Sequence, residues 1–230
     1  MKGISFFELM ISLSISFFVL SIIVSGITST AKSSKKLNND NEEIESIFHT
    51  VDIIKSDLNK CGMRLIEYSD FFDVEIVQCS DDWFKIEYGV SDENLLENAV
   101  KGDDEIKVNV NEYFKKNKYV LIYNLDFSSF QILKIKNIEK DNLIFESPLL
   151  YDFRKGSEII VIKTIEYKYF ERNRVLKRKV DNGYFQPLVE NVSDFYVTYF
   201  KDSHAILYKL EINQKQQVRG FVFLNNMVLK

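Results

Sequence analysis

Apolar and polar positions divide this chain into three regimes. From Ile4 to Ile27 nearly every residue is apolar or small, and after Glu8 no charged side chain appears until Lys32. Taken as a helix, Ile4–Ile27 spans about 36 Å at about 1.5 Å per residue, enough to cross a bilayer. The next stretch, Lys32–Glu43, reads KSSKKLNNDNEE and is almost wholly polar. A helical period then returns: Ile44, Phe48, Val51, Ile54, Leu58 and Cys61 recur at steps of three and four. Glu45, Asp52, Lys55 and Lys60 fall mostly off that face. Cys61-Gly62 is the expected stop, since glycine is favoured just past a helix end. The pattern predicts one long N-terminal helix with a membrane half, a polar waist and an amphipathic half.

Beyond Leu65 the period shortens to two. Phe72–Ile76 alternates, Ser80-Asp81-Asp82 breaks the run, and Trp83–Tyr88 alternates again. Further strand signals cover Glu105–Val110, Tyr119–Asn124, Phe130–Ile138, Leu143–Glu146, Glu158–Phe170 and Val175–Val180. Three more follow at Phe195–Phe200, Ala205–Ile212 and Gly220–Leu224. Lys140-Asp141-Asn142 and Glu171–Arg174 read as hairpin breaks. A run of strands behind one helix predicts an α+β protein, its helix packed on a mainly antiparallel β-sheet head. About 200 residues follow the apolar segment, which suits one globular domain.

Composition narrows the function. The net charge of −4 gives no electrostatic case for binding nucleic acid. Two cysteines, Cys61 and Cys79, are too few for a disulfide scaffold but suit one bridge in an exported domain. Cys61 falls on the apolar helix face and Cys79 follows the first strand signal, so a bridge would tie the helix end to the sheet. The alternative is two buried thiols acting as small hydrophobes.

Catalytic chemistry is poorly supplied. His49 and His204 lack clustered ligand partners at helical or hairpin spacing, so no metal and no cofactor are expected. Asp202-Ser203-His204 contains triad residue types, but a triad is a spatial arrangement and adjacency is no evidence for one. Asp70, Asp73, Asp81 and Asp82 do not form a calcium-loop motif. The chain reads as a non-enzyme. Its strand aromatics read as core and cross-strand packing.

One residue breaks the apolar segment. Glu8 sits near its start, where an ionisable group costs about 2.5–3.5 kcal/mol even on the mildest scale and so needs a partner. A short basic leader (Met1-Lys2), Gly3, the apolar Ile4 and Glu8 five residues past that glycine resemble the class III signal of type IV prepilins. The resemblance implies cleavage by prepilin peptidase between Gly3 and Ile4, N-methylation of Ile4, and a role for Glu8 in filament assembly. In the second half, Tyr167-Lys168-Tyr169-Phe170, Val175-Leu176-Lys177-Arg178 and Pro187–Val192 leading into Phe195–Tyr199 resemble the head of PilW-type minor pilins. The J-type minor pseudopilins of type II secretion are similar. This chain departs from the pattern at Cys61, where a small residue is expected before Gly62. It also lacks the membrane-segment proline of many major pilins, which favours a minor subunit.

The resemblance implies four segments: a leader at 1–3, a transmembrane and filament-core helix at 4–31, a polar waist and amphipathic helix at 32–62, and an extracytoplasmic β-rich head at 63–230. It further implies an inner-membrane, single-pass protein with a cytoplasmic N-terminus that later enters a pilus. Its partners would be the peptidase, other minor and major pilins, the inner-membrane assembly platform and membrane lipid. Lysines on both sides of the span (Lys2 against Lys32, Lys35 and Lys36) leave the positive-inside count ambiguous, so orientation rests on the resemblance. Rival readings are a type II secretion pseudopilin, an uncut membrane-anchored sensor or adhesin, and a secreted enzyme cleaved near Thr28–Ala31.

Overall fold

A computed structural model of the chain describes residues 6–65, 75–214 and 216–224. Two compact units divide between His49 and Thr50. Helix α1 covers Phe6–Leu58, and the polar waist Lys32–Glu43 is helical throughout. Extending a helix already nucleated on both sides costs far less than starting one, which carries α1 through Asn38–Asn41 despite their poor propensity.

In the second unit α1 buries Thr50, Val51, Ile54, Asp57 and Leu58. The predicted seam holds at Val51, Ile54, Leu58 and Cys61. It fails upstream, where Phe48 is 62% exposed and Ile47 is buried instead. Adjacent apolar residues fit the same period, so periodicity alone could not choose between Ile47 and Phe48. The helix also stops at Leu58, before the expected Cys61, and residues 59–65 turn. Gly62 takes φ +72°, and its N–H donates to the Glu87 carbonyl at 3.0 Å.

Twelve strands follow: β1 (Val77–Ser80), β2 (Trp83–Asn94), β3 (Glu105–Lys107), β4 (Tyr119–Tyr123), β5 (Phe130–Glu139), β6 (Asn142–Phe145), β7 (Glu158–Phe170), β8 (Val175–Val180), β9 (Gln186–Val189), β10 (Val192–Phe200), β11 (Ala205–Ile212) and β12 (Gln216–Phe223). Every pairing between them is antiparallel. The fold class is therefore α+β, as the patterning predicts. Most of Phe72–Ile76, the first expected strand, lies outside the described residues, and β1 instead runs up to the Asp81-Asp82 turn.

The larger sheet runs β1-β2-β7-β4-β5-β6-β3, and β8 and β9 branch from β7. Strand β7 is the trunk. One edge pairs with β2, while the other pairs first with β4 (Glu158–Ile162) and then with β8 (Ile165–Phe170). Ile159, Ile160, Val161 and Ile162 are all buried, so this half is covered on both faces and reads as a continuous apolar run. The half beyond Ile162 alternates, burying Ile165 and Tyr167. Strands β10-β11-β12 form a separate sheet.

One buried cluster joins Val120, Ile122, Leu133, Ile135, Leu143, Phe145, Phe153, Ile159 and Val161 with the loop residues Leu95, Phe114 and Leu149. Elsewhere Phe84 stacks on Tyr167 at 4.6 Å and reaches Phe195 at 6.4 Å, linking β2, β7 and β10.

Candidate functional site

In the first unit no side chain between Leu9 and Ala31 is buried, and Phe17 and Phe18 are 69% and 70% exposed. Among the described residues one helix is, by length and composition, long and apolar enough to cross a membrane. Five of its hydroxyls, on Ser12, Ser14, Ser16, Thr28 and Thr30, donate to carbonyls inside the helix. Ser14 donates to the Met10 carbonyl at 2.8 Å, Ser16 to Ser12 at 2.8 Å, Thr28 to Val24 at 2.8 Å and Thr30 to Gly26 at 2.9 Å. Such back-bonding removes the cost of a bare hydroxyl in hydrocarbon. Gly3 and Ile4 lie outside the described residues, as does the side chain of Glu8, which falls in the first turn of α1.

In the second unit the most heavily bonded side chain on the helix is Asp57, which the apolar pattern passed over. It is 2% exposed. Its Oδ2 accepts from Arg178 Nε at 2.6 Å on β8 and from the Tyr167 hydroxyl at 2.6 Å on β7, while Lys60 Nζ lies 3.1 Å from Oδ1. Burial alone would raise the Asp57 carboxyl, but the hydrogen bonds from Arg178, Tyr167 and Lys60 outweigh it and hold the group below the usual carboxylate range. Burial and the adjacent carboxylate push the Tyr167 hydroxyl far up, so it stays a donor. For Arg178 burial acts downward, and the Asp57 partnership overcomes it and stabilises the cation. The arrangement is an anchor. A charged helix side chain is held by two strands, so the end of α1 has one register on the sheet.

A second polar device closes the fork in β7. Where β4 and β8 part, the Thr164 N–H lacks a ladder partner and donates to Asp181 Oδ1 at 3.0 Å, while the Asp181 N–H donates to the Thr164 carbonyl at 2.8 Å. Lys118, just before β4, forms an ion pair with the same Asp181. An open groove of about 550 Å³ lies here, with Trp83, Tyr119, Ile132 and Ile162 among its lining residues. Its charges cancel in pairs: Lys85 with Glu87, Lys179 with Glu166 and Lys118 with Asp181. It reads as a solvated sheet face.

Neither cysteine is in a disulfide, so the bridge expected between Cys61 and Cys79 is not formed in this structure. Cys61 is fully buried, and burial pushes its thiol up to about 12, with the Glu87 charge adding to the effect. Cys79 is half-buried, with Sγ 3.7 Å from the Val197 carbonyl on β10. His204 is the left-handed cap of a short turn between β10 and β11, its Nδ1 3.2 Å from the Tyr199 hydroxyl. Asp202 and Ser203 lie in that same turn. Asp70 and Asp73 lie outside the described residues. Among the described residues no group of three or more His, Cys, Asp or Glu side chains is placed to hold a metal ion.

No family model matches this chain, and no curated protein sequence matches it either.

Proposed function

We propose that this protein is a minor pilin subunit of the PilW kind that helps prime, assemble or cap a type IV pilus. One observation carries the reading. The Gly3-Ile4…Glu8 motif runs into the first turn of a helix whose apolar side chains, from Leu9 to Ile27, are covered by nothing among the described residues.

The mechanism follows from the physics of that helix. Prepilin peptidase cuts after Gly3 on the cytoplasmic side, and the new N-terminus at Ile4 is methylated. Lipid solvates the helix while the subunit waits in the inner membrane, its head on the outer side. On extraction the same surface is buried against equivalent helices of neighbouring pilins, which the assembly platform brings together. Glu8 pairs with the freed amine of a neighbouring Ile4, and that pairing sets register. The head packs on other minor and major subunits. A type II secretion pseudopilin would use the same physics, and the tyrosine strand and Leu176-Lys177-Arg178 are shared with that reading.

The test is the N-terminal mass of the protein recovered from its host. Loss of Met1–Gly3 with one added methyl group is the expected result, and replacing Gly3 by a bulky residue should leave the precursor uncut. Mature protein that still carries Met1, in a host with the peptidase, would overturn the proposal. Recovery from sheared surface fibres separates the pilus role from secretion.

A further inference from the structure

Strand β12 ends its sheet. One side pairs with β11 from Gln216 to Phe223, and among the described residues the other pairs with nothing. Such edges invite another strand, and proteins usually blunt them with lysine, proline, bulges or brevity. Here the strand is eight residues long and reads QQVRGFVF, with no proline and one charge. Its pairing with β11 carries no bulge.

Its outward face exposes two polar side chains, Gln217 and Arg219, and two aromatic ones. Phe221 and Phe223 are 51% and 53% exposed, their rings meet edge to face at 4.9 Å, and Phe200 lies 6.2 Å from Phe221. The inward-facing Val218 and Val222 are only partly buried, as expected of a row missing its last neighbour.

Two polar groups at this edge are also unfinished. Arg219 is exposed and has no ion pair among the described residues, whereas its cross-strand neighbour Lys209 is already held by Asp194 at 2.8 Å and Glu211 at 3.3 Å. The Tyr208 ring lies over Gly220, so close that a Cβ there would fall 2.3 Å from its hydroxyl oxygen. That hydroxyl lies against the backbone of the edge strand, is buried, and has no hydrogen-bond partner among the described residues. A buried hydroxyl left unpaired costs about 1–3 kcal/mol.

We infer that β12 is a strand-addition site for another polypeptide. The incoming segment is extended, with a carboxylate opposite Arg219, apolar side chains opposite Phe221 and Phe223, and a small residue opposite Gly220. Charge selects against the two nearest occupants. A second copy of β12 contains no acidic residue, and neither does the segment Asn225–Lys230 that follows it. Main-chain bonds supply affinity, and the Arg219 and phenylalanine positions supply register. The inference goes beyond the role proposed for the apolar helix and does not depend on it.

The test uses the full-length chain in detergent micelles and a capped peptide, Val-Val-Val-Thr-Glu-Val-Thr-Thr, written to lie antiparallel to β12. In the free protein, alternate β12 amides should exchange rapidly with deuterium, because an edge strand is bonded on one side only. Saturating peptide should slow those amides about tenfold or more. A lysine in place of the peptide's glutamate should weaken binding about fivefold, the range of a cross-strand charge pair. Arg219→Glu, an exposed change, should invert that preference. A peptide N-methylated at alternate amides should not bind. The inference is overturned if every β12 amide is already protected in the free chain, since the chain then covers its own edge. Protection that rises with protein concentration without peptide would also overturn it, by making a second copy the occupant. So would equal binding of the glutamate and lysine peptides.

Discussion

Replacing Asp57 by alanine tests whether the end of α1 is held on the sheet by a buried charge. The side chain receives three hydrogen bonds, from Arg178 and Tyr167 at 2.6 Å each and from Lys60 at 3.1 Å. Removing one member of a buried ion pair costs about 3–5 kcal/mol, because the other charge is left uncompensated. Arg178 and Lys60 keep 28% and 41% side-chain exposure and regain water, whereas the fully buried Tyr167 hydroxyl does not. That places the loss near the lower end, about 3 kcal/mol. In a unit beginning at Thr50 and ending at Lys230, this corresponds to a fall in Tm of roughly 6–12 °C.

The assay is thermal and urea unfolding of a soluble fragment, Asn41–Lys230, followed by circular dichroism. Asp52→Ala on the exposed side of the helix serves as control. The pH dependence supplies an independent check. The Asp57 carboxyl is depressed in the folded state, so its contribution is complete above the ordinary carboxylate range of about pH 4 and is lost as pH falls through the lower folded value. The parent should therefore lose stability in acid more steeply than the variant. Combining Asp57→Leu, Arg178→Met and Tyr167→Phe should return stability to within about 1 kcal/mol, since apolar replacement of a whole buried network is often neutral. A loss below about 1 kcal/mol for Asp57→Ala, or one equal to that of Asp52→Ala, would refute the anchor.

Three further outcomes are expected. On the proposed pilin role, Glu8→Val should insert and be cut after Gly3 as efficiently as the parent, yet its ratio in sheared fibres to membranes should drop; an unchanged ratio would make Glu8 incidental. In folded protein an alkylating agent at mildly alkaline pH should label Cys79 well before Cys61, because the thiolate is the nucleophile and Cys61 is fully buried with its thiol raised to about 12. If neither cysteine of unreduced host protein labels in denaturant, the two are bridged after all. Gly220→Ala should destabilise the head by about 1–3 kcal/mol, since its Cβ would fall 2.1 Å from the Tyr208 ring, and Tyr208→Leu should relieve much of that loss in a double-mutant melt.

Much of this architecture is local, and local order is legible along the chain. The helix declares itself through an uninterrupted apolar run and then a 3.6-residue period, both carried by neighbours in sequence. The strands of the β7–β8 and β10–β11 hairpins declare themselves by alternation and short polar breaks. The prepilin-like motif is likewise contiguous. What lies across the chain could not be read this way. Asp57, three residues past Ile54, falls on the buried face, but a charged side chain does not register in an apolar period. Only the arrival of Arg178, 121 residues later, makes it a buried anchor. Strand β9 contains Pro187 and reads as a link, yet proline is tolerated there because β9 lies at the end of a branch and pairs only with β8. The polar end of β2, Ser91–Asn94, extends because β7 lies beside it to receive its hydrogen bonds. The fork that Asp181 closes exists only once β4 and β8 share one edge of β7. Periodicity along the chain sets which face of an element is apolar. Long-range pairing sets which polar groups are buried with partners and which edge is left open.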